Sequence, residues 1–105
     1  MRETLEQLKE LLGADFGELV SAFDIDNRQH LSNLRQAIVE SDADTVAREA
    51  HSIKGASSNL GALELAEKCQ LLESAGKAND LSGADDLLDQ IEQLFEQAVS
   101  IIRSV

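Results

Sequence analysis

One segment of the chain places a histidine, a lysine and a glycine on the same face of a predicted helix. It reads Ala-His-Ser-Ile-Lys-Gly-Ala-Ser-Ser-Asn-Leu-Gly-Ala over residues 50–62. At about 100° per residue, His51, Lys54 and Gly55 point in one direction. Ser58 shares this face and is a candidate neighbour of the histidine ring. The stripe expected to face the core lies opposite, and it comprises Val46, Ala50, Ile53, Ser57 and Leu60. A histidine opposite such a stripe is expected to face water.

These residue types suit a nucleophile that works on an anion. An unperturbed imidazole has a pKa of about 6.5, so a neutral, nucleophilic ring is available near pH 7. Lys54 follows His51 by three residues, which brings its ammonium beside a group carried by the ring. Phosphoryl transfer needs such a cation because charge spreads over the equatorial oxygens. Gly55 leaves the helix surface bare where a partner must approach. Glycine destabilises a helix interior by about 0.8–1 kcal/mol relative to alanine, so its presence here suggests a functional requirement.

A lone surface histidine with an incidental lysine is usually without function, but the rest of the segment favours a functional interpretation. The segment resembles the phosphoacceptor segment of histidine-containing phosphotransfer (HPt) domains, which reads roughly A-H-x-[LI]-K-G-[SA]-[SA]-x-x-[LF]-G. Its fixed positions are filled here by His51, Lys54, Gly55, Leu60 and Gly61. Residues 65–73 are similar to the family's next helix, L-A-x-x-C-x-x-L-E. With the Phe-rich second helix, the resemblance covers about residues 15–104.

The resemblance implies a monomeric helical bundle in which a solvent-facing histidine takes a phosphoryl group on Nε2 from one receiver-domain aspartate and passes it to another. It makes His51 the phosphoacceptor, Lys54 the charge partner of the phosphoryl group and Gly55 the clearance position. Family members often hold the other ring nitrogen with a polar residue of the adjacent helix. Glu73 occupies the matching position here, and Gln70 is the second candidate. A carboxylate at this position would favour the protonated ring and so oppose the lysine.

The same resemblance implies response-regulator receiver domains and a hybrid sensor histidine kinase as partners. The receiver would supply an acidic pocket, the aspartate and Mg²⁺, so no cofactor is expected on this chain. The sequence has no Gly-x-x-x-x-Gly-Lys-[Ser/Thr] loop and no kinase nucleotide box. We therefore expect a phosphocarrier without its own ATP-binding or kinase domain. Its docking face is expected on the third and fourth helices around His51, with a small apolar patch such as Leu63 beside it.

The composition predicts an acidic, helix-rich chain. Its 105 residues predict one domain, residues 1–105, with one continuous core. The formal net charge of −11 argues against binding to nucleic acid and to anionic membranes. No apolar run of about 18 residues occurs, and the N-terminus lacks the apolar block of a signal peptide, so a cytoplasmic location is expected. The single cysteine, Cys69, rules out a cysteine-rich zinc site and is expected to act as a small buried hydrophobe.

Five helical segments are predicted to position the candidate site. A short one spans residues 4–12, and four longer ones span about 15–41, 44–58, 62–77 and 82 onward. Asp44 is expected to cap the third, and residues 76–83 are expected to form a turn. Short connections between long amphipathic helices predict an all-α fold, an antiparallel up-down-up-down four-helix bundle. The short N-terminal helix would close one end.

Two further hypotheses keep this fold. A non-catalytic helical adaptor would bind a receiver domain without transferring phosphate, but it would have no need of His51 beside Lys54. The phosphoacceptor module of a chemotaxis-type histidine kinase would take its phosphoryl group from ATP bound to a separate kinase domain. The initiator-like Met1 and the short span favour a free-standing protein. Elsewhere, residues 24–35 begin like a calcium-binding EF-hand loop but lack its glycine and final glutamate, and the isolated His30 is expected to be structural.

Overall fold

The computed structural model describes all 105 residues and contains helices joined by short turns, with no strands. The helices are α1 (Arg2–Leu12), α2 (Phe16–Val39), α3 (Ala43–Asn59), α4 (Leu63–Lys77) and α5 (Ala84–Ser104). A single 3-10 turn at Gly13–Asp15 separates α1 from α2. The all-helical fold class predicted from the sequence is confirmed. None of the five helices combines the length and the apolar character needed to cross a bilayer.

A continuous core of 22 buried residues fills the space between the helices. All five helices contribute fully buried side chains, among them Leu5, Leu34, Ile53, Leu72 and Phe95. Each such side chain stabilises the fold by about 1.5–3 kcal/mol relative to exposure. Cys69 is part of this core, and burial raises the pKa of its thiol to about 12. The expectation that it acts as a small hydrophobe is confirmed.

Ion pairs on the surface connect α2 to α5. They join Asp24 to Arg103 at 2.7 Å, Arg28 to Glu96 at 2.5 Å and Arg35 to Asp89 at 3.2 Å. Residue numbers therefore rise along α2 as they fall along α5. Exposed pairs of this kind add little stability. These ion pairs are informative because they show which parts of the two helices lie side by side.

α3 and α4 approach each other closely at Gly76. A Cβ atom built on this residue would lie 2.7 Å from the carbonyl oxygen of Ala43 and 2.8 Å from the amide nitrogen of Ala47. Contacts this short are not tolerated, so only glycine permits this separation of the helices. The prediction that Gly76 begins a turn is wrong, because it is buried within α4.

The turn between α3 and α4 contains Gly61, whose φ of +78° lies in the left-handed region. A side chain there would also meet α1, since a Cβ would lie 3.0 Å from the hydroxyl oxygen of Thr4. α1 therefore packs over this turn. The glycine is required both by the backbone conformation and by the neighbouring helix.

The start of the helix that carries His51 differs from the prediction. α3 begins at Ala43, and Asp42 is its N-cap: the carboxylate accepts hydrogen bonds from the amide of Thr45 at 3.2 Å and from its hydroxyl at 2.6 Å. Asp44 lies in the first helical turn and does not cap it. Either aspartate side chain could cap a helix. The position at which the backbone becomes helical determines that Asp42 does so.

His30 links α2 to α3. Its Nδ1 lies 2.5 Å from Oε2 of Glu49, and both side chains are partly buried. This contact between two helices agrees with the structural role predicted for His30. It also shows that the residue is not isolated, because its partner comes from a different helix.

Candidate functional site

His51 lies on the solvent-facing side of α3, with 66% of its side chain exposed. Ala50 and Ile53, on the opposite side of the same helix, are fully buried. The burial of this core stripe fixes the rotation of α3 about its axis. The imidazole is consequently presented to any molecule that approaches this face.

Glu73 of α4 holds one nitrogen of the ring. Its Oε2 lies 3.1 Å from Nδ1 of His51, and its side chain is only 4% exposed. The hydrogen bond from Lys54 is the main cause that lowers the pKa of Glu73 to about 2, and it outweighs the opposing effect of burial. An ionised carboxylate only accepts hydrogen bonds, so Nδ1 carries the proton and donates it. In the neutral ring, the lone pair is then on Nε2.

Lys54 binds the other oxygen of the same carboxylate. Its Nζ lies 2.6 Å from Oε1 of Glu73 and 2.8 Å from Oε1 of Gln70. The sequence left open whether Glu73 or Gln70 holds the histidine ring. In the structure, Glu73 contacts the ring, while Gln70 contacts the ammonium of Lys54 and donates to the hydroxyl of Ser74 at 3.1 Å.

Lys77 belongs to the same cluster and was missed by the sequence reasoning. Its Nζ lies 3.0 Å from Oε2 of Glu73, the oxygen that also contacts His51. The signal was available, because residues four apart on a helix are neighbours and opposite charges at this spacing attract. Arg48 is a further cation here, since it lines a shallow depression together with His51 and Lys77. Three cations thus lie around the ring in a chain whose net charge is −11.

The remaining candidate residues are exposed. A Cβ atom built on Gly55 would meet nothing within 4 Å, so no group of this chain requires a glycine there. Ser58 is exposed and takes no part in the hydrogen bonds around the ring. Leu63 is 70% exposed, but it precedes Glu73 by ten residues on α4, or about 15 Å of helix. Leu63 begins α4 while Glu73 lies near its end, and the place of Leu63 beside the docking face stays a prediction.

Comparison with known proteins identifies the class of this fold and site. Residues 18–101 match the family model of the Hpt domain. The fold is similar to the crystal structure of histidine-containing phosphotransfer protein B (HptB) from Pseudomonas aeruginosa PAO1. The TM-score is 0.91 and the identity is 31%, with 97% of this chain and 89% of that chain covered. No match was found among functionally curated proteins.

The chain belongs to the Hpt domain family. It is a histidine phosphotransfer protein of two-component signalling. Domains of this family are phosphocarrier modules rather than kinases, and they interact with receiver domains and kinases in phosphorelays. The resemblance given by the motif around His51 is thereby confirmed.

Proposed function

We propose that this chain is the intermediate of a multistep phosphorelay, in which His51 takes a phosphoryl group from the aspartate of one receiver domain and passes it to a second. The observation that carries this proposal is the state of the ring: Nδ1 is held by ionised Glu73, and the ring is 66% exposed. A hybrid sensor kinase and a response regulator would supply the two receivers. The chain would act as a monomer.

In the proposed reaction the lone pair of Nε2 attacks phosphorus in line with the bond to the aspartyl oxygen. The N–P bond forms as the P–O bond breaks, and the electron pair of that bond returns to the receiver's carboxylate. The ring becomes cationic because Nδ1 keeps its proton. Glu73 stabilises this developing charge, since its Oε2 is already placed to accept the hydrogen bond. Transfer to the second receiver is the same step in reverse.

Two neighbours are proposed to serve the phosphoryl group and the partner. Lys54, on the same helix face as His51, would contact the phosphoryl oxygens once they arrive. Gly55 would give the receiver's active site room to approach. The acidic pocket and Mg²⁺ are proposed to reside on the receiver, so no cofactor is assigned to this chain. Ser58 is left without a role.

We also propose that the chain is one domain, built as an antiparallel up-down-up-down bundle with α1 closing one end. The ion pairs between α2 and α5 support opposite directions for those helices. The contact of His51 with Glu73 and the approach of Ala47 to Gly76 support the same order for α3 and α4. The contact of Thr4 with the turn at Gly61 supports the placement of α1.

The proposal is tested with receiver domains of the source cell that carry a radiolabelled aspartyl phosphate. The wild-type chain should acquire acid-labile label, and the His51→Gln variant should acquire none. His30→Gln is the matched control, because it removes the other histidine and should leave labelling intact. Label on His51→Gln at the wild-type level would contradict the assignment. Binding without any label would favour the adaptor, and label acquired only from ATP with a separate kinase domain would favour the kinase module.

A further inference from the structure

Glu73 is the common partner of three groups. Its Oε1 binds Lys54 at 2.6 Å, and its Oε2 lies 3.0 Å from Lys77 and 3.1 Å from Nδ1 of His51. Its side chain is 4% exposed, so water compensates little of its charge. The carboxylate therefore depends on the two lysines while the histidine ring is neutral.

Glu73 and a phosphoryl group on His51 would compete for the charge of Lys54. In the structure its ammonium is bound by Glu73 and by Gln70, and its side chain is 25% exposed. A phosphoryl group on Nε2 of His51 would lie on the solvent side of the ring, away from the buried carboxylate. An ammonium that turns outward to contact it moves away from Glu73. The phosphorylated ring is cationic, but the phosphoryl group on it carries more negative charge than the ring gains, so phosphohistidine does not take the place of a lysine. A nearly buried carboxylate that loses a lysine is therefore strongly unfavourable unless another cation remains.

We propose that Lys77 is a positioning residue that keeps Glu73 compensated while Lys54 turns to the phosphoryl group. This inference rests on the proposed function of His51. Lys77 follows Glu73 by four residues on the same helix, so its contact needs no movement of α3. Without Lys77, Lys54 is the only lysine on the carboxylate and is held there. The phosphoryl group then loses its charge partner.

The other cation at the site does not substitute for Lys77. Arg48 lines the depression beside the ring, but its guanidinium donates to the hydroxyl of Thr45 at 3.1 Å and forms no ion pair with Glu73. Lys68 lies on α4 as well, yet it takes part in none of the hydrogen bonds or ion pairs around the carboxylate. Lys68→Gln is therefore a matched control, since it removes the same charge from the same helix.

The experiment uses the full chain phosphorylated on His51 with phosphoramidate, a small donor that needs no protein partner. Transfer to an unphosphorylated receiver domain is timed for the wild type, for the control Lys68→Gln and for four variants: Lys77→Gln, Lys77→Arg, Lys54→Gln and the double variant Lys54→Gln/Lys77→Gln. We expect Lys77→Gln and Lys54→Gln each to slow transfer by about tenfold and Lys68→Gln to transfer at the wild-type rate. The double variant should be no slower than Lys54→Gln, and Lys77→Arg should restore the rate. Circular dichroism checks that every variant is folded.

If Lys77 only stabilises the fold, the transfer rates of the variants should differ from this expectation. If Lys77→Gln transfers at the rate of Lys68→Gln, or if the losses in the double variant multiply, the role proposed for Lys77 is overturned. These outcomes leave the proposed function intact, because the wild type still transfers. A wild-type chain that acquires no phosphoryl group on His51 would instead contradict the proposed function and remove the basis of this inference.

Discussion

Gly76 of α4 lies so close to Ala47 of α3 that a methyl group on Gly76 would come within 2.8 Å of the Ala47 amide nitrogen. Gly76 follows Glu73 by one helical turn, and Ala47 precedes His51 by one turn. The crossing therefore sets the separation of the two helices at the site. It determines whether the carboxylate reaches the ring at 3.1 Å.

The first prediction concerns this crossing. Gly76→Ala should lower the free energy of unfolding by about 1–3 kcal/mol, because overpacking outweighs the better helix propensity of alanine. Urea denaturation measures the effect. Gly17→Ala in α2 is the control, since a Cβ there meets nothing within 4 Å and should not destabilise the chain. A Gly76→Ala variant as stable as the wild type would show that the helices can separate without cost.

Gly55→Ala should have opposite effects on the stability of the fold and on the rate of phosphoryl transfer from a receiver domain. The substitution should raise the free energy of unfolding by about 0.5–1 kcal/mol, because Gly55 lies within α3 and its new methyl group meets no atom of this chain. Transfer from a phosphorylated receiver should slow by about tenfold or more, because the partner is held away. Phosphorylation by phosphoramidate should be unchanged, since a small donor needs no clearance. Equal effects on both donors would contradict the clearance role.

The third prediction follows from the lowered pKa of Glu73. Its ordinary value is 4.5 and its value in the fold is about 2, so the ionised group contributes stability above pH 4.5. That contribution is lost as the pH falls from about 4.5 towards 2, and it is on the order of 3 kcal/mol. Denaturation of the wild type and of Glu73→Gln at pH 7 and at pH 3 measures it. The difference between the two proteins should shrink at low pH, and a constant difference would rule out this linkage.

Ser57 offers a test of the core. Its side chain is fully buried, and its hydroxyl has no hydrogen-bond partner. Ser57→Ala should stabilise the chain by about 0.5–1.5 kcal/mol, because it removes an unpaired polar group and improves helix propensity. Ser58→Ala in the same helix is exposed and isolates the propensity component. If the two variants have equal stability, the buried hydroxyl carries no penalty.

The orientation of the helix that carries His51 was predictable, because it depends only on the spacing of the apolar residues along that helix. Once Ala50 and Ile53 are assigned to the core, the histidine must face solvent, and the structure agrees. Its N-cap was not predictable, because Asp42 and Asp44 differ only in where the backbone turns. In the structure the turn occurs at Ser41, whose φ is +55°, and that places Asp42 at the helix start.

The groups contributed by α4 were harder to predict because they depend on contact between two helices. Glu73 was a candidate, but only the rotation of α4 decides that it, rather than Gln70, reaches the ring. Gly76 stood where the predicted fourth helix, residues 62–77, overlaps the predicted turn, residues 76–83. Its burial against α3 is a tertiary effect that a single sequence does not reveal. Lys77 was overlooked although its spacing from Glu73 was visible in the sequence, because the contact of Glu73 with the ring was not yet established.

The burial of Cys69 has a practical consequence. Its thiol is fully enclosed, and its pKa of about 12 keeps it protonated at neutral pH. Since thiolates are the species that react with thiol-directed dyes and oxidants, we expect Cys69 of the folded chain to react with neither. A cysteine introduced on the surface would therefore be the only reactive thiol. Fluorescent or spin labels can be attached at chosen positions around His51 to follow partner docking, with the native cysteine left in place.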